Sequence, residues 1–251
     1  MASISSDRVR RSRSLGDTLV VGLTGSIGMG KSTVSKWLQE MQVPLDDADA
    51  TVHRLYAPGG EAVLPLKEAF GDEILSQEGG VDRGALSKLV VGEANAERLK
   101  HLEAIVHPLV EASRDHFISK ARRQGELLCV LDIPLLFEKK LEKHCDVVMV
   151  VSAPAEQQRT RVLARNDMTP EKFTAILSKQ VPDADKRRKA DHIVDTGLTM
   201  EETKAQVMAF VKECREKVAA ERDRDQRLQW LFLAAALAAG AAVAFGLQRM
   251  K

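Results

Sequence analysis

The sequence predicts an α/β fold built on a mostly parallel β-sheet. Short apolar runs of β-type composition are spread along the chain, with helical patterns between most of them; they read TLVVGL, QVPLDD, ELLCVLDIP, DVVMVVSA and HIVDTG. Alternation of this kind is typical of strand–helix–strand units, whose strands lie parallel in one sheet with helices on its faces.

The helical elements follow in order from residue 18. After the first strand, Val34, Trp37 and Leu38 recur at helical spacing. Residues 61–120 carry long helical patterns, in which Pro108 predicts a break or kink. Residues 156–190 are polar and helical, HIVDTG is expected to close the sheet, and a last amphipathic helix is predicted over about 199–226.

Composition narrows the class of protein. The chain has 251 residues, 44% hydrophobic and 29% charged, with a net charge of +1, which is an ordinary globular mixture. Because the charge is nearly balanced, an acidic ligand needs a local site, and no nucleic-acid partner is expected. Cys129, Cys145 and Cys214 are scattered, so they predict neither disulfides nor a zinc site and fit a cytosol-like compartment.

Residues 1–17 are polar and basic and lack periodicity, which favours a disordered leader. Their Arg and Ser content also fits a transit peptide, although Asp7 and Asp17 and the absence of an apolar face argue against one.

One stretch predicts a phosphate site. Gly25, Gly30, Lys31 and Ser32 match G-x-x-x-x-G-K-[ST] between a predicted strand and a helix start. There, backbone N–H groups and the helix N-terminus would face phosphate oxygens, the lysine would reach the β- and γ-phosphates, and the serine hydroxyl would ligate Mg²⁺. The predicted nucleotide-binding set is Thr24, Gly25, Ser26, Ile27, Gly28, Met29, Gly30, Lys31, Ser32 and Thr33.

The loop does not identify the phosphate acceptor, because ATPases, GTPases and small-molecule kinases share it. The chain has no convincing N-K-x-D sequence, which disfavours a GTPase. Asp46, Asp47 and Asp49 follow the second predicted strand, where carboxylates can face the γ-phosphate and accept a proton. The alternative is N-capping of a helix that begins near Ala50, and different aspartates can serve both purposes.

Several motifs in order resemble the dephospho-CoA kinase family over about residues 18–212. They are GLTGSIGMGKSTV, DDAD, VDRGAL, IVHPLV, LDIPLLFE and RVLARND. The resemblance implies a P-loop kinase fold with a helical substrate-binding insertion (about 50–120) and a lid (about 156–190) inside a kinase domain of 18–226. It also implies transfer of the γ-phosphate of ATP, with Mg²⁺, to the ribose 3′-hydroxyl of dephospho-CoA, which gives CoA.

The resemblance also assigns roles to residues. It implies that Asp49 is the general base, and that His53, Arg54 and His107 are on the substrate side. His53 stands where the family has a basic residue, and its alternative is a helix-surface histidine.

Further matches lie later in the chain. Asp132 resembles a carboxylate that orders Mg²⁺ through water, and Pro134 and Glu138 shape the substrate-side loop. Arg161 and Arg165 match lid arginines that close over the phosphates; the alternative is a solvated basic face. Thr196 stands where the family more usually has Asn in the adenine-side loop.

Other functions stay open at this stage. The chain could phosphorylate another small molecule or nucleotide, or it could be a non-catalytic nucleotide-binding scaffold tethered to a membrane. The retention of Lys31, Ser32, Asp49, Arg161 and Arg165 argues against the scaffold.

The C-terminal segment predicts a membrane anchor. Residues 231–247 read LFLAAALAAGAAVAFGL and carry no charge, and extension to Leu228 gives about 30 Å of helix, enough to cross a bilayer. The expectation is a single-pass tail anchor over 228–247 with the kinase domain in the cytosol, at the peroxisome, mitochondrial outer membrane or endoplasmic reticulum. A buried or partner-binding helix is the alternative, and the small residues Ala239 to Ala244 would permit a homo-oligomer.

Overall fold

The computed structural model describes residues 18–248, without the side chains of 93 and 233–248. The predicted leader over residues 1–17 therefore lies outside the described residues.

Five parallel strands form one sheet in the order β2-β3-β1-β4-β5. The strands β1, β3 and β4 are buried along their whole length, as expected for a parallel sheet covered on both faces. Their bounds are β1 Leu19–Thr24, β2 Leu45–Asp47, β3 Leu128–Asp132, β4 Val147–Ser152 and β5 His192–Asp195. The predicted α/β class with a parallel sheet is confirmed.

Nine α-helices accompany the sheet in the described part of the chain. They are α1 Lys31–Glu40, α2 Ala48–Tyr56, α3 Val63–Phe70, α4 Arg83–Val90, α5 Ala96–Arg123, α6 Ala155–Leu163, α7 Pro170–Leu177, α8 Asp183–Lys189 and α9 Met200–Gln248.

Two apolar clusters cover the two faces of the sheet. On one face, Val34 and Leu38 of α1 and Phe210 of α9 pack against the strands. On the other face, Ile118 of α5 and Leu136 of the segment after β3 do the same. These contacts pack α1 against the sheet, with the phosphate loop between the carboxyl end of β1 and the start of α1.

A third apolar cluster lies among helices α2 to α5, apart from the sheet. Its members are Leu55, Tyr56, Ala62, Leu66, Ile74, Val81, Leu86, Val90 and Val106. The segment that follows β2 thus has an apolar core of its own, and its first helix starts at the sheet edge beside the phosphate loop.

Three local expectations differ from the structure. The run QVPLDD forms a strand only over Leu45–Asp47, and the helix after it begins at Ala48 rather than near Ala50. Pro108 does not break its helix, which continues over Ala96–Arg123, so of the two expected effects only a kink stays a prediction. The last helix continues past residue 226 to Gln248.

The structure does not support the expected membrane anchor over residues 228–247. Within the described part of the chain, no helix combines the length and apolarity that a membrane crossing requires. Up to residue 232, helix α9 still carries Arg222, Arg224 and Arg227 in its exposed or half-buried turns. The side chains from residue 233 on, where most of the predicted anchor falls, lie outside the described residues.

Candidate active site

The phosphate loop connects the end of β1 to the start of α1. Gly28 and Gly30 have φ values of 78° and 85°, a left-handed conformation that favours glycine. A Cβ on Gly28 would also lie 2.4 Å from Cγ2 of Val162, so both the backbone angle and the space require glycine there.

Four backbone N–H groups of this loop have no hydrogen-bond acceptor among the described residues. They belong to Gly28, Gly30, Lys31 and Ser32. Unpaired N–H groups at the N-terminus of a ten-residue helix form a concave donor surface for an anion. The loop therefore fits the phosphates of a nucleotide.

Lys31 contacts a buried carboxylate in this structure. Its Nζ donates to Oδ1 of Asp132, at the end of β3, and the Ser35 hydroxyl donates to Oδ2 at 2.6 Å. Burial raises the pKa of the Asp132 carboxyl, and the Lys31 charge and the hydrogen bonds from Lys31 and Ser35 oppose that rise. A phosphate that enters the loop would compete with Asp132 for the lysine.

The three aspartates after β2 have three different surroundings. Asp47 is the N-cap of α2 and accepts the N–H groups of Asp49 and Ala50 at 2.8 and 3.1 Å. Asp46 accepts the Thr51 hydroxyl at 2.9 Å. Asp49 lines the cleft in front of the phosphate loop, and its carboxylate makes no hydrogen bond within the described residues. The sequence left capping and site roles open for this group; the structure shows the capping role for Asp47, and the site role of Asp49 stays a prediction.

The cleft has a volume of about 550 Å³. Groups of opposite charge line it together: Asp49 from α2, Lys31 from α1, and Arg161 and Arg165 from the α6 segment. Its other lining residues are Gly25 to Gly30, Ser32 to Val34, Trp37, Pro134, Ile176, Gln180, Thr196, Met200 and Thr203.

Arg161 is held at the rim of this cleft by several acceptors. Its Nη2 donates to the carbonyl of Thr196 at 2.7 Å and to Oε1 of Gln157 at 3.2 Å, and its Nη1 donates to the Thr196 hydroxyl at 3.2 Å. Arg165 follows one turn later and is exposed. Both guanidinium groups are thus available to an anionic ligand in the cleft.

Four of the predicted site residues lie away from this cleft. Thr24 is buried and its hydroxyl donates to the carbonyl of Pro134 at 3.0 Å, so it supports the neighbouring loop instead of facing a nucleotide. His53 and Arg54 are exposed on α2, and Arg54 donates to the Thr51 hydroxyl at 2.6 Å. The His107 side chain is 61% exposed on α5.

Two glutamines that the sequence analysis missed fix the phosphate loop. Gln158 of α6 donates from Nε2 to the carbonyl of Ile27 at 2.7 Å, and Oε1 of Gln180 accepts the Ile27 N–H at 3.1 Å. Glutamines in a polar helical segment carry no distinctive spacing, so no sequence signal could have identified them.

A buried ion pair supports the same region. Lys186 of α8 is fully buried, and its Nζ lies 2.9 Å from Oε1 of Glu138. The same oxygen accepts the N–H of Val181 at 2.8 Å, next to Gln180. The Lys186 ammonium and these hydrogen bonds outweigh burial and hold the pKa of the Glu138 carboxyl below its usual range.

A parallel sheet with a phosphate loop after its central strand, a carboxylate in the same cleft and arginines on and just after a neighbouring helix defines a P-loop kinase-like phosphotransferase. Comparison with known proteins narrows this class. Residues 19–202 match the model of the dephospho-CoA kinase family. The chain is 56% identical over 198 residues to a dephospho-CoA kinase of Novosphingobium aromaticivorans, which covers 79% of this chain and 96% of the relative. A dephospho-CoA kinase of Mesorhizobium japonicum is 52% identical over 78% of this chain and 97% of its own.

A solved structure from Thermus thermophilus matches with a TM-score of 0.66 and 34% identity, over 78% of this chain and 96% of that one. The chain therefore belongs to the dephospho-CoA kinase family, and the predicted kinase function and transferase class are confirmed. These two kinase relatives are bacterial, and the described residues contain no helix that could span a membrane. The predicted localisation in an organelle membrane is therefore wrong.

Proposed function

We propose that the chain transfers the γ-phosphate of ATP to the ribose 3′-hydroxyl of dephospho-CoA, with Asp49 as the general base. One observation carries the proposal: the unpaired Asp49 carboxylate lines the same cleft as the phosphate loop, Arg161 and Arg165. A phosphate donor and an attacking hydroxyl can therefore meet between groups that hold phosphate and a group that takes a proton.

On the nucleotide side, the free N–H groups between Gly28 and Ser32 bind the β- and γ-phosphates. Lys31 exchanges its contact with Asp132 for these phosphate oxygens, and Ser35 continues to hold the carboxylate through its hydroxyl. Because hydrogen bonds already fix the loop at Ile27, the loop loses little conformational freedom when the nucleotide binds.

The site also fits Mg²⁺. When bound, Mg²⁺ would supply positive charge that offsets the negative charge developing on the phosphate oxygens during transfer. The Ser32 hydroxyl, at the first turn of α1, would hold the ion, and Asp132 would orient one of its waters. Among the described residues no cluster of three metal-ligating side chains exists, which suits an ion held mainly by phosphates and water.

In the transfer step, Asp49 accepts the proton of the 3′-hydroxyl while the hydroxyl oxygen forms the new bond to the γ-phosphorus. The bond from that phosphorus to the β-phosphate bridging oxygen breaks, and ADP leaves. Arg161 and Arg165 hold the transferring oxygens, for which a planar guanidinium is well suited.

The helical segment over about 50–120 would bind the rest of the acceptor. Its apolar core is separate from the sheet, and α2 brings His53 onto the same helical face as Asp49, four residues away. His53 would contact substrate phosphate outside the cleft, and Arg54 and His107 would contact the acceptor farther out. The lid corresponds to about residues 156–190, within a kinase domain of 18–226.

Product analysis on a panel of acceptors tests this proposal. The full chain with ATP and Mg²⁺ should convert dephospho-CoA to CoA, as shown by mass spectrometry, and should leave AMP and adenosine unchanged. Turnover of another acceptor, with none of dephospho-CoA, would overturn it.

A further inference from the structure

Thr196 contacts three separate parts of the molecule. It follows the last residue of β5 and is 7% exposed. Its N–H donates to the carbonyl of Ser152 at 2.8 Å, at the end of β4. Its side chain lies against Gly30, where an added Cβ would be 3.3 Å away.

The Thr196 hydroxyl is shared between the phosphate loop and the lid. It lies 2.8 Å from the carbonyl of Met29 and 3.2 Å from that of Ser152. A hydroxyl has one proton to donate, and the shorter distance assigns this hydrogen bond to the carbonyl of Met29. The oxygen's lone pairs accept Nη1 of Arg161 at 3.2 Å, so one hydroxyl connects a loop carbonyl to a lid guanidinium.

We infer that Thr196 is a positioning residue that holds Arg161 over the phosphate loop. Its hydroxyl and its carbonyl both accept hydrogen bonds from the guanidinium. The hydrogen bond from the hydroxyl to the Met29 carbonyl fixes the hydroxyl relative to the loop. This inference rests on the proposed role of Arg161 in phosphate binding. Arg161 is an exposed, long side chain, and without these contacts it would lose rotamer freedom on meeting a phosphate.

The substitution Thr196→Val removes the hydroxyl and keeps the shape, and Thr196→Ser keeps the hydroxyl. We expect Thr196→Val to weaken ATP binding by about fivefold, the size of one net hydrogen bond, when ATP is titrated calorimetrically into the full chain. The Ser variant should bind within about twofold of the parent, since the lost methyl makes no hydrogen bond.

Thr18→Val is the matched control for folding. The Thr18 hydroxyl is also buried and donates to a carbonyl, that of Glu126, at 2.8 Å, but it lies at the opposite end of β1. Both Val variants should lower the midpoint of thermal unfolding to a similar extent, and Thr18→Val should leave ATP binding unchanged.

A double-mutant cycle separates positioning from a general structural effect. In an Arg161→Ala background, Thr196→Val should have no further effect on ATP binding, because the group that it positions is gone. An equal loss in both backgrounds, or equal losses in the Ser and Val variants, would overturn the inference. The binding measurement needs no acceptor, so it decides this point even if dephospho-CoA is not phosphorylated.

Discussion

Gly28 brings the phosphate loop into close contact with Val162 of α6. Its left-handed backbone and the 2.4 Å approach of Val162 to an added Cβ leave no room for a side chain. The site thus depends on contacts that a motif alone does not describe, because the pattern requires glycine only at Gly25 and Gly30.

We predict that Gly28→Ala weakens ATP binding by at least about tenfold, because the left-handed backbone and the clash each cost about 1 kcal/mol or more. The control is Gly125→Ala, which has a similar φ of 73° and nothing within 4 Å of the added Cβ. Calorimetric titration with ATP should show a loss only for Gly28→Ala. Equal binding by both variants would contradict the claim that the Val162 contact shapes the loop.

His192 predicts a pH dependence of stability. Burial lowers the pKa of its imidazole, with a smaller opposing effect of Glu213, and its buried Nε2 has no hydrogen-bond partner among the described residues. The unfolded chain binds the proton first as pH falls, so stability is present above the ordinary histidine pKa of about 6.5 and is lost below it. Denaturant unfolding between about pH 7.5 and 5 should show this slope, and His192→Gln should flatten it. An unchanged slope would mean that other groups cause it.

At the scale of elements, Glu138 and Lys186 tie α8 to the segment after β3. The pair is buried, and Glu138 also holds the backbone of Val181 beside Gln180. The ion pair therefore supports Gln180 indirectly, through Val181, and Gln180 fixes the phosphate loop at Ile27.

We predict that Glu138→Gln destabilises the chain by about 3 kcal/mol, because it leaves the Lys186 charge buried without a counterion. The control is Glu97→Gln, which removes a partner from the exposed Lys100–Glu97 pair and should change stability by less than about 0.5 kcal/mol. Both are measured by urea unfolding. Similar values for the two variants would refute the structural importance of the buried pair.

The sequence predicted the strands and the strand-to-helix position of the phosphate loop, because strand burial and glycine spacing are local signals, whereas the role of Asp49 stays a prediction. It did not predict the contacts of Gln158 and Gln180 with Ile27, since these join residues more than a hundred positions apart. It also placed Thr24 in the site, because a pattern match cannot show that its hydroxyl turns to Pro134.

At the scale of the whole molecule, one sheet edge collects groups from distant parts of the chain. The phosphate loop follows β1, Asp49 follows β2, Asp132 ends β3, and Thr196 follows β5. All four lie at the carboxyl ends of parallel strands, the usual place for ligands in such a sheet. The topology therefore brings the phosphate loop, Asp132, Thr196 and the proposed base Asp49 to one end of the sheet before any ligand binds.

The general-base role of Asp49 is the central claim, and the single-turnover rate of CoA formation tests it most directly. With ATP, Mg²⁺ and dephospho-CoA, Asp49→Asn should slow phosphate transfer by about 100-fold or more, the range of a lost general base. ATP affinity should stay within about twofold, because the Asp49 carboxylate makes no hydrogen bond to the phosphate loop in the described structure. A variant that transfers phosphate at the parent rate would contradict the account.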